Sequence, residues 1–421
     1  MRTLDNNTER GQAIVYLVLG LVVFFGFVAL AIDGGMVLSD RRHVQNAADA
    51  ASLAGGADAG LSLENSLGDV CDEFIWSCDA GFVISARGTA VDQAIKRAAD
   101  NGFTIDDNIS DHNGVNTFCS GAGNPFIDVT VEISSTTPSN FLQLISPKAL
   151  HNEVQAITRV FPGGPLAFGN AVVALNPNGC GTESGAVFKG TGDLGVEGGG
   201  VWSNGCLQGA GQPTVTISDS LIKFGYAGEF IPGNADWTPS PPTSPTGYQL
   251  PKFAYEIDFD INDCDGRWDI TIPNNATLDP GLYCMHGDLN INNNQTVNGS
   301  NVTFYVEGDV KFNGGATVYL DAPTSDQHDG TIPGVLIYVP HLANQSCYDQ
   351  SVELNGNNET HIVGSIYAPC SKVTLNGTED SFLVNSQIIG YDVKVSGTAN
   401  TSVIYSGCNG YIIPPFIELY K

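Results

Sequence analysis

The densest run of oxygen ligands in the chain is Asp258-Phe-Asp-Ile-Asn-Asp-Cys-Asp-Gly-Arg-Trp-Asp269. Asp258, Asp260 and Asn262 have the spacing of the first three ligands of a calcium-binding loop, and calcium is the one cofactor this sequence raises. The sixth position of that loop is Asp263 rather than glycine, and the twelfth is Asp269 rather than glutamate. The competing reading is plain alternation, with the aspartates on a wet face and Phe259 and Ile261 turned to a core. Seven histidines are scattered without metal-ligand spacing. No Gly-x-Ser-x-Gly elbow and no Walker loop occurs. Ten cysteines without a Cys-x-x-Cys pair argue against zinc ribbons and thioredoxin chemistry, and for an oxidising compartment.

Those residues sit in repeats. Leu289-Asn-Ile-Asn, Val310-Lys-Phe-Asn-Gly, Val352-Glu-Leu-Asn-Gly, Val373-Thr-Leu-Asn-Gly and Val393-Lys-Val-Ser-Gly share one pattern, with starts 21, 42, 21 and 20 residues apart. A second column (Tyr283, Tyr305, Ile337-Tyr, Ile366-Tyr, Ile388) keeps step. A period of about 21 with short strands and Asn-Gly turns predicts a right-handed parallel β-helix, in which each rung hides an apolar strip under its neighbour. A leucine-rich repeat shares the period but needs a leucine skeleton and a helical half-repeat, and both are missing. Weaker copies at Ala171–Leu175, Val187–Gly192 and Leu194–Trp202 extend the coil upstream. The proline-rich loop 238–251 is expected to bulge from it. Outward residues Asn290, Lys311, Glu353, Thr374 and Lys394 mix sign and chemistry and contain no acid pair. Sequons at Asn275, Asn294, Asn301 and Asn376 are read as turn asparagines before glycan sites.

The register also sorts the cysteines. Cys284 and Cys347 each lie five residues before a repeat start but three periods apart, about 14 Å at one strand spacing per rung, which no disulfide can bridge. Local pairs are therefore expected: Cys264–Cys284, Cys347–Cys370, Cys180–Cys206 and, in the N-terminal part, Cys71–Cys78. Cys119 and Cys408 stay unassigned.

Composition narrows the partners. Lys+Arg is 17 against Asp+Glu 45, a formal charge of −28, so nucleic acid is excluded as a partner. Charged residues make up only 15%, while Gly is 50 and Pro 21, which favours turn-dense β structure over long solvated helices.

Ala13 to Ile32 is uninterrupted apolar sequence, and twenty residues at helical rise span about 30 Å, a bilayer core. Its length marks an uncleaved anchor rather than a signal peptide. Arg2 and Arg10 precede the span and Arg41 and Arg42 follow it, so charge alone leaves orientation open. The cysteines place the bulk of the chain outside the cytoplasm. Beyond Gly35 the helical pattern continues with Val37, Val44, Ala47, Ala48, Ala51 and Ala54 on one face, and Gly55-Gly56 is expected to end it. That stripe of small residues suits either packing on the chain's own β structure or helix-to-helix assembly with other subunits.

Glu9-Arg-Gly-Gln-Ala13, the apolar span, Ala31-Ile-Asp-Gly-Gly35 and Arg41-Arg-His-Val-Gln-Asn-Ala-Ala-Asp-Ala-Ala-Ser-Leu-Ala54 resemble the TadE/TadG-like family, pseudopilin-like proteins of the tight-adherence (Flp) pilus assembly system. A second amphipathic helix at 88–102, a strand from Asn124, a short helix at 141–145 and a strand over 152–160 extend the resemblance to residues 9–161. Where prepilin-type processing favours glutamate, five residues after Gly11, this chain has Tyr16. No Asp-x-Ser-x-Ser pentad of an adhesion domain occurs.

The expected architecture is a flank 1–12, a transmembrane helix 13–32, an α+β module 33–161, a linker 162–166 and a parallel β-helix over 167–421. The expected function is pilus assembly, adhesion or surface scaffolding by a membrane-anchored, non-enzymatic protein. Its partners would be pilus or secretion components, further copies docking through Val44, Ala47, Ala48, Ala51 and Ala54, or a surface glycan or protein. The alternative is a surface-tethered carbohydrate-active β-helix enzyme.

Overall fold

A computed structural model describes residues 9–67, 76–121, 125–141, 150–218, 224–240, 249–250, 252, 255–257, 259–264, 268–269, 272–324, 330–343, 345–377, 381–407 and 410–420. The chain divides into two units: Met1–Ser66 with Ile75–Pro162 and Pro415–Lys421, and Leu67–Phe74 with Gly163–Pro414. The expected β domain of 167–421 thus loses its last residues, which return to the first unit.

In the first unit, helix α1 runs unbroken over Glu9–Leu67. Gly55-Gly56 does not stop it, contrary to the sequence expectation, because these glycines serve close packing. A Cβ on Gly55 would lie 2.7 Å from the Ala90 carbonyl oxygen, and one on Gly56 would lie 2.5 Å from the Thr158 methyl. Helix α2, Gly81–Asp100, buries Val83, Ala86, Ala90, Ala94 and Ala98, an alanine ridge that admits α1 at short range. Gly102, at φ +87°, closes α2 in the left-handed cap position, its N–H bonded to the Ala99 carbonyl.

Strands β1 (Gly114–Cys119), β2 (Ile127–Thr137) and β3 (Leu150–Phe161) form an antiparallel sheet. Phe416–Leu419 adds to β3, with Phe416 opposite Phe161. Alternation decides the buried face: Ile127, Val129, Val131 and Ile133 go in from β2, and Val154, Ala156, Thr158 and Val160 from β3. On the other face, the Arg159 guanidinium lies between the rings of Phe126 and Tyr420, at 3.8 and 4.0 Å, and pairs with Asp128. The short helix expected over 141–145 falls, after Phe141, outside the described residues.

The second unit is built from parallel ladders. In one, Leu289, Val310, Val352, Val373 and Val393 stand side by side in register, as the repeats predict. All five are buried. At about 1.5–3 kcal/mol for each fully hidden aliphatic chain, this strip alone is a large stabilising term. The second column slips by one residue at its start: Tyr283 pairs with Phe304, and Cys284, not Tyr283, stands beside Tyr305. Near the strand ends, Asn376 donates its side-chain N–H to its in-register neighbour Asn355 Oδ1 at 2.8 Å, and Asn313, just past Phe312, donates to the Ile291 carbonyl. Asn294 and Asn301 take left-handed φ values of 63° and 58°. That conformation accounts for Asn294 and Asn301 as turn residues, whereas Asn376 lies within the strand Ser365–Gly377 and Asn275 opens the strand Asn275–Leu278.

The order of stacking is not the order of sequence. One ladder reads Asn275–Leu278, Thr296–Ser300, Thr317–Asp321, Thr360–Val363, Ser381–Asn385 and Asn400–Ile404. Asp193–Glu197, Thr214–Ile217 and Asp236–Thr238 then follow. The upstream copies therefore attach after the last repeat rather than before the first. Val393 pairs with Ala186, and Ile388 with Val172. The chain must cross from one end of the stack to the other between residues 238 and 275. The proline-rich loop expected over 238–251 falls, at 241–248 and 251, outside the described residues, while Leu250, Ile257 and Phe259 further along this connection lie against the stack. Leu250 and Ile257 are buried with Trp202, Tyr367 and Ile389, and Phe259 stacks on Tyr305 at 4.8 Å. Tyr305, Tyr338 and Tyr367 form a continuous outer row, with ring centroids 5.5 and 5.1 Å apart. Burial pushes the Tyr305 and Tyr367 phenols up.

Candidate functional site

Helix α1 leaves the first unit as a bare apolar rod. Phe24, Phe25, Phe27 and Leu30 are each more than 60% exposed, and the most apolar stretch of this helix buries none of its residues. A soluble protein does not leave so large an apolar surface in water. By length and composition this helix is long and apolar enough to cross a membrane.

Two carboxylates fix the rod where it meets the folded unit. Asp33 is 4% exposed and accepts the backbone N–H groups of Asn140 and Phe141, at 2.9 and 3.1 Å. Asp40, two turns further along the same helix face, accepts from Ser135, Thr137 and Asn152, at 2.6, 2.7 and 2.7 Å. The Ser135 and Thr137 hydroxyls hold its carboxyl below the ordinary carboxylate range. Charge-assisted bonds of this kind are about twice as strong as neutral ones. The sequence reading assigned neither aspartate a role. The available signal was their seven-residue spacing on an otherwise small and apolar face.

Most of the small-residue stripe on α1 is buried within the first unit. Val44, Ala47, Ala48 and Ala51 are buried, and Ala54 is half-buried. Ser52 accepts from Thr158, and Gln45 donates to the Gln155 carbonyl, both on β3. Small side chains there let the unit's own sheet approach.

In the segment raised for calcium, Asp258 lies outside the described residues. Asp260 Oδ1 accepts both the Asn262 backbone N–H, at 3.0 Å, and its side-chain Nδ2, at 2.7 Å. That is an aspartate-capped turn leading into a short 3-10 segment, Ile261–Cys264. Asp269 instead pairs with His286, whose ring stacks on Trp268.

Disulfides join Cys180 to Cys206, Cys264 to Cys284 and Cys347 to Cys370. The expected Cys71–Cys78 bond is replaced by Cys78–Cys119, whose Cα atoms are 5.8 Å apart. Trp76 and Cys78 are drawn to the end of β1, where Trp76 Nε1 donates to the Ser120 carbonyl. Cys71 and Cys408 lie outside the described residues.

The outward column adjoins the densest charge cluster. Lys311 pairs with Glu353. Lys394 shares Glu183 with Lys372 and Lys189, at 3.0, 3.1 and 2.8 Å. The bonds from Lys189 and Lys394 hold the Glu183 carboxyl down to about 2. Glu183 and Lys189 come from the upstream copies, and Lys372 and Lys394 from the repeats, so the cluster stitches the seam where the two stacks meet. Buried Asp392 does the same, accepting from Asn176 and from the Gly185 N–H. Gln387 donates to the Leu166 and Asn170 carbonyls.

Among the described residues these features define a class: a protein with a long exposed apolar helix, a small α+β unit that grips its continuation, and a large unit of stacked parallel strands. Its N-terminal segment, residues 11–58, matches the Flp pilus-assembly TadE/G-like family. That is narrower than the 9–161 of the sequence resemblance. Residues 241–405 match a domain of unknown function, DUF7305. No curated protein and no solved structure matches the chain. The second match begins within the connection 238–275 and ends at the last repeat strand, so the upstream copies at 170–238 lie outside it.

Proposed function

We propose that this is a membrane-anchored scaffold of a tight-adherence pilus system, with its bulk outside the cytoplasm and no catalytic role. The observation that carries the proposal is the TadE/G-like match falling on the apolar rod and on the stretch of helix that the α+β unit grips. In this reading the parallel ladders coil as a right-handed β-helix, a rigid body that carries a binding surface. The in-register apolar columns and the asparagine turns support that coil.

The test is genetic and biochemical together. Cells lacking the protein should lose surface pili or adherence. Full-length chain should resist alkaline extraction of membranes, whereas a chain lacking residues 1–32 should be released. Normal piliation and adherence without the protein would sink the assignment.

A further inference from the structure

His341, Cys347 and Cys370 bring their ligand atoms within 4.8 Å of one another, the one such group of histidine, cysteine or carboxylate residues among those described. In the structure the two sulfurs are bonded. The loop carrying them is held by other means as well. The Tyr348 N–H donates to the Cys370 carbonyl at 3.0 Å, and Asn176 Nδ2 donates to the Tyr348 hydroxyl at 2.9 Å. Ser346 N–H donates to Asp349 at 2.8 Å. Opening the disulfide would therefore leave both sulfurs near where they are. His341 is exposed, Cys347 half-buried and Cys370 buried, so the cluster can be reached from water on one side. In the same loop, Gln345 has a buried side-chain oxygen with no hydrogen-bond partner.

We propose that this cluster is a redox-gated site for a thiophilic cation of the Zn²⁺ or Cu⁺ type. As a disulfide it ties the loop to the strand. A low-molecular-weight dithiol opens it by exchange: the dithiol gives two electrons and two protons to the protein sulfurs and leaves as its own disulfide. The two thiols then release their protons to solvent as the metal binds, with His341 as third ligand and the fourth position open. Tetrahedral zinc with these ligands needs donor atoms about 3.5–3.8 Å apart, a spacing that the separated sulfurs and the imidazole reach within their present span.

The test uses full-length protein in detergent, reduced with dithiothreitol under argon, freed of reductant and titrated with Zn²⁺ against a chromophoric chelator. Co²⁺ absorption reports tetrahedral thiolate ligation. Reduced wild type should bind one more equivalent than the Cys347→Ser/Cys370→Ser variant. His341→Ala keeps the disulfide and should weaken that one site at least about tenfold, as loss of a ligand does. Oxidised protein should lack the site. Equal stoichiometry in wild type and the double variant, unchanged affinity in His341→Ala, or equal binding by oxidised protein would each overturn the proposal.

Discussion

Replacing Gly55 and Gly88 by alanine should move stability in opposite directions. Both glycines lie inside helices, where alanine is favoured by about 1 kcal/mol. At Gly88 nothing lies within 4 Å of the added methyl, so that gain should appear in full. At Gly55 the methyl would meet the Ala90 carbonyl oxygen at 2.7 Å, the Val129 methyl at 3.1 Å and the Ala94 methyl at 3.2 Å. The first of these is backbone and cannot rotate away, so α2 must shift by several tenths of an ångström. Overpacking of this kind costs about 1–3 kcal/mol. Subtracting the helix gain leaves Gly55→Ala destabilised by about 1 kcal/mol. Urea unfolding of chains lacking residues 1–32, followed by helical circular dichroism, would measure both. A Gly55→Ala protein as stable as Gly88→Ala would refute the claim that this glycine is kept for helix contact.

Phe259→Ala should loosen the connection over the tyrosine row, costing about 1.5–3 kcal/mol for a half-buried ring. Limited proteolysis should then cut within 249–269 while the strands stay intact. The Glu183 carboxyl is depressed in the folded protein, so its stabilising effect is full above its ordinary value near 4.5 and fades as pH falls toward about 2. Its side chain is 40% exposed, so screening reduces the effect, and Glu183→Gln should flatten the acid limb of a stability–pH curve by well under the unscreened amount. Replacing 163–414 by a two-residue Asn-Gly turn should leave the first unit folded, because Phe161 and Phe416 are already opposite each other in an antiparallel pair. Loss of the Cys78–Cys119 bond in that protein, seen by mass spectrometry, would count against an independent unit.

What could be read from sequence was what repeats locally. Apolar-x-apolar-Asn fixes the inward pair and the turn within one rung, so the column from Leu289 to Val393 was legible to the residue. Which rung neighbours which was not, because every rung presents the same kind of edge: Ala186 suits Val393 as well as Val352 does. Gly55-Gly56 read as a stop since nothing local distinguishes a terminating glycine from one pressed against a distant carbonyl. The Cys78–Cys119 bond spans 41 residues and depends on the placement of β1, which no period announces. Asp33 and Asp40 were in plain view, but their partners come from β2, β3 and the residues between them, about a hundred positions away.

The displaced stacking order has a mechanical consequence. An ordinary coil of rungs is tethered by one end, and tension on the tether peels the terminal rung, then the next, each at low force. Here the chain enters the large unit beside Asn170–Ala174 and leaves it after Asn400–Ile404, strands that stand at the middle of the stack. Tension applied along the chain would enter and leave the unit at that seam, where Asn170–Ala174 and Asn400–Ile404 each have neighbours on both sides. Neither free end carries load. Rupture has to begin at the best-braced position, through the Glu183 lysines, Asp392 and Gln387, so the same bonds that close the seam are the ones that would set the protein's resistance to shear.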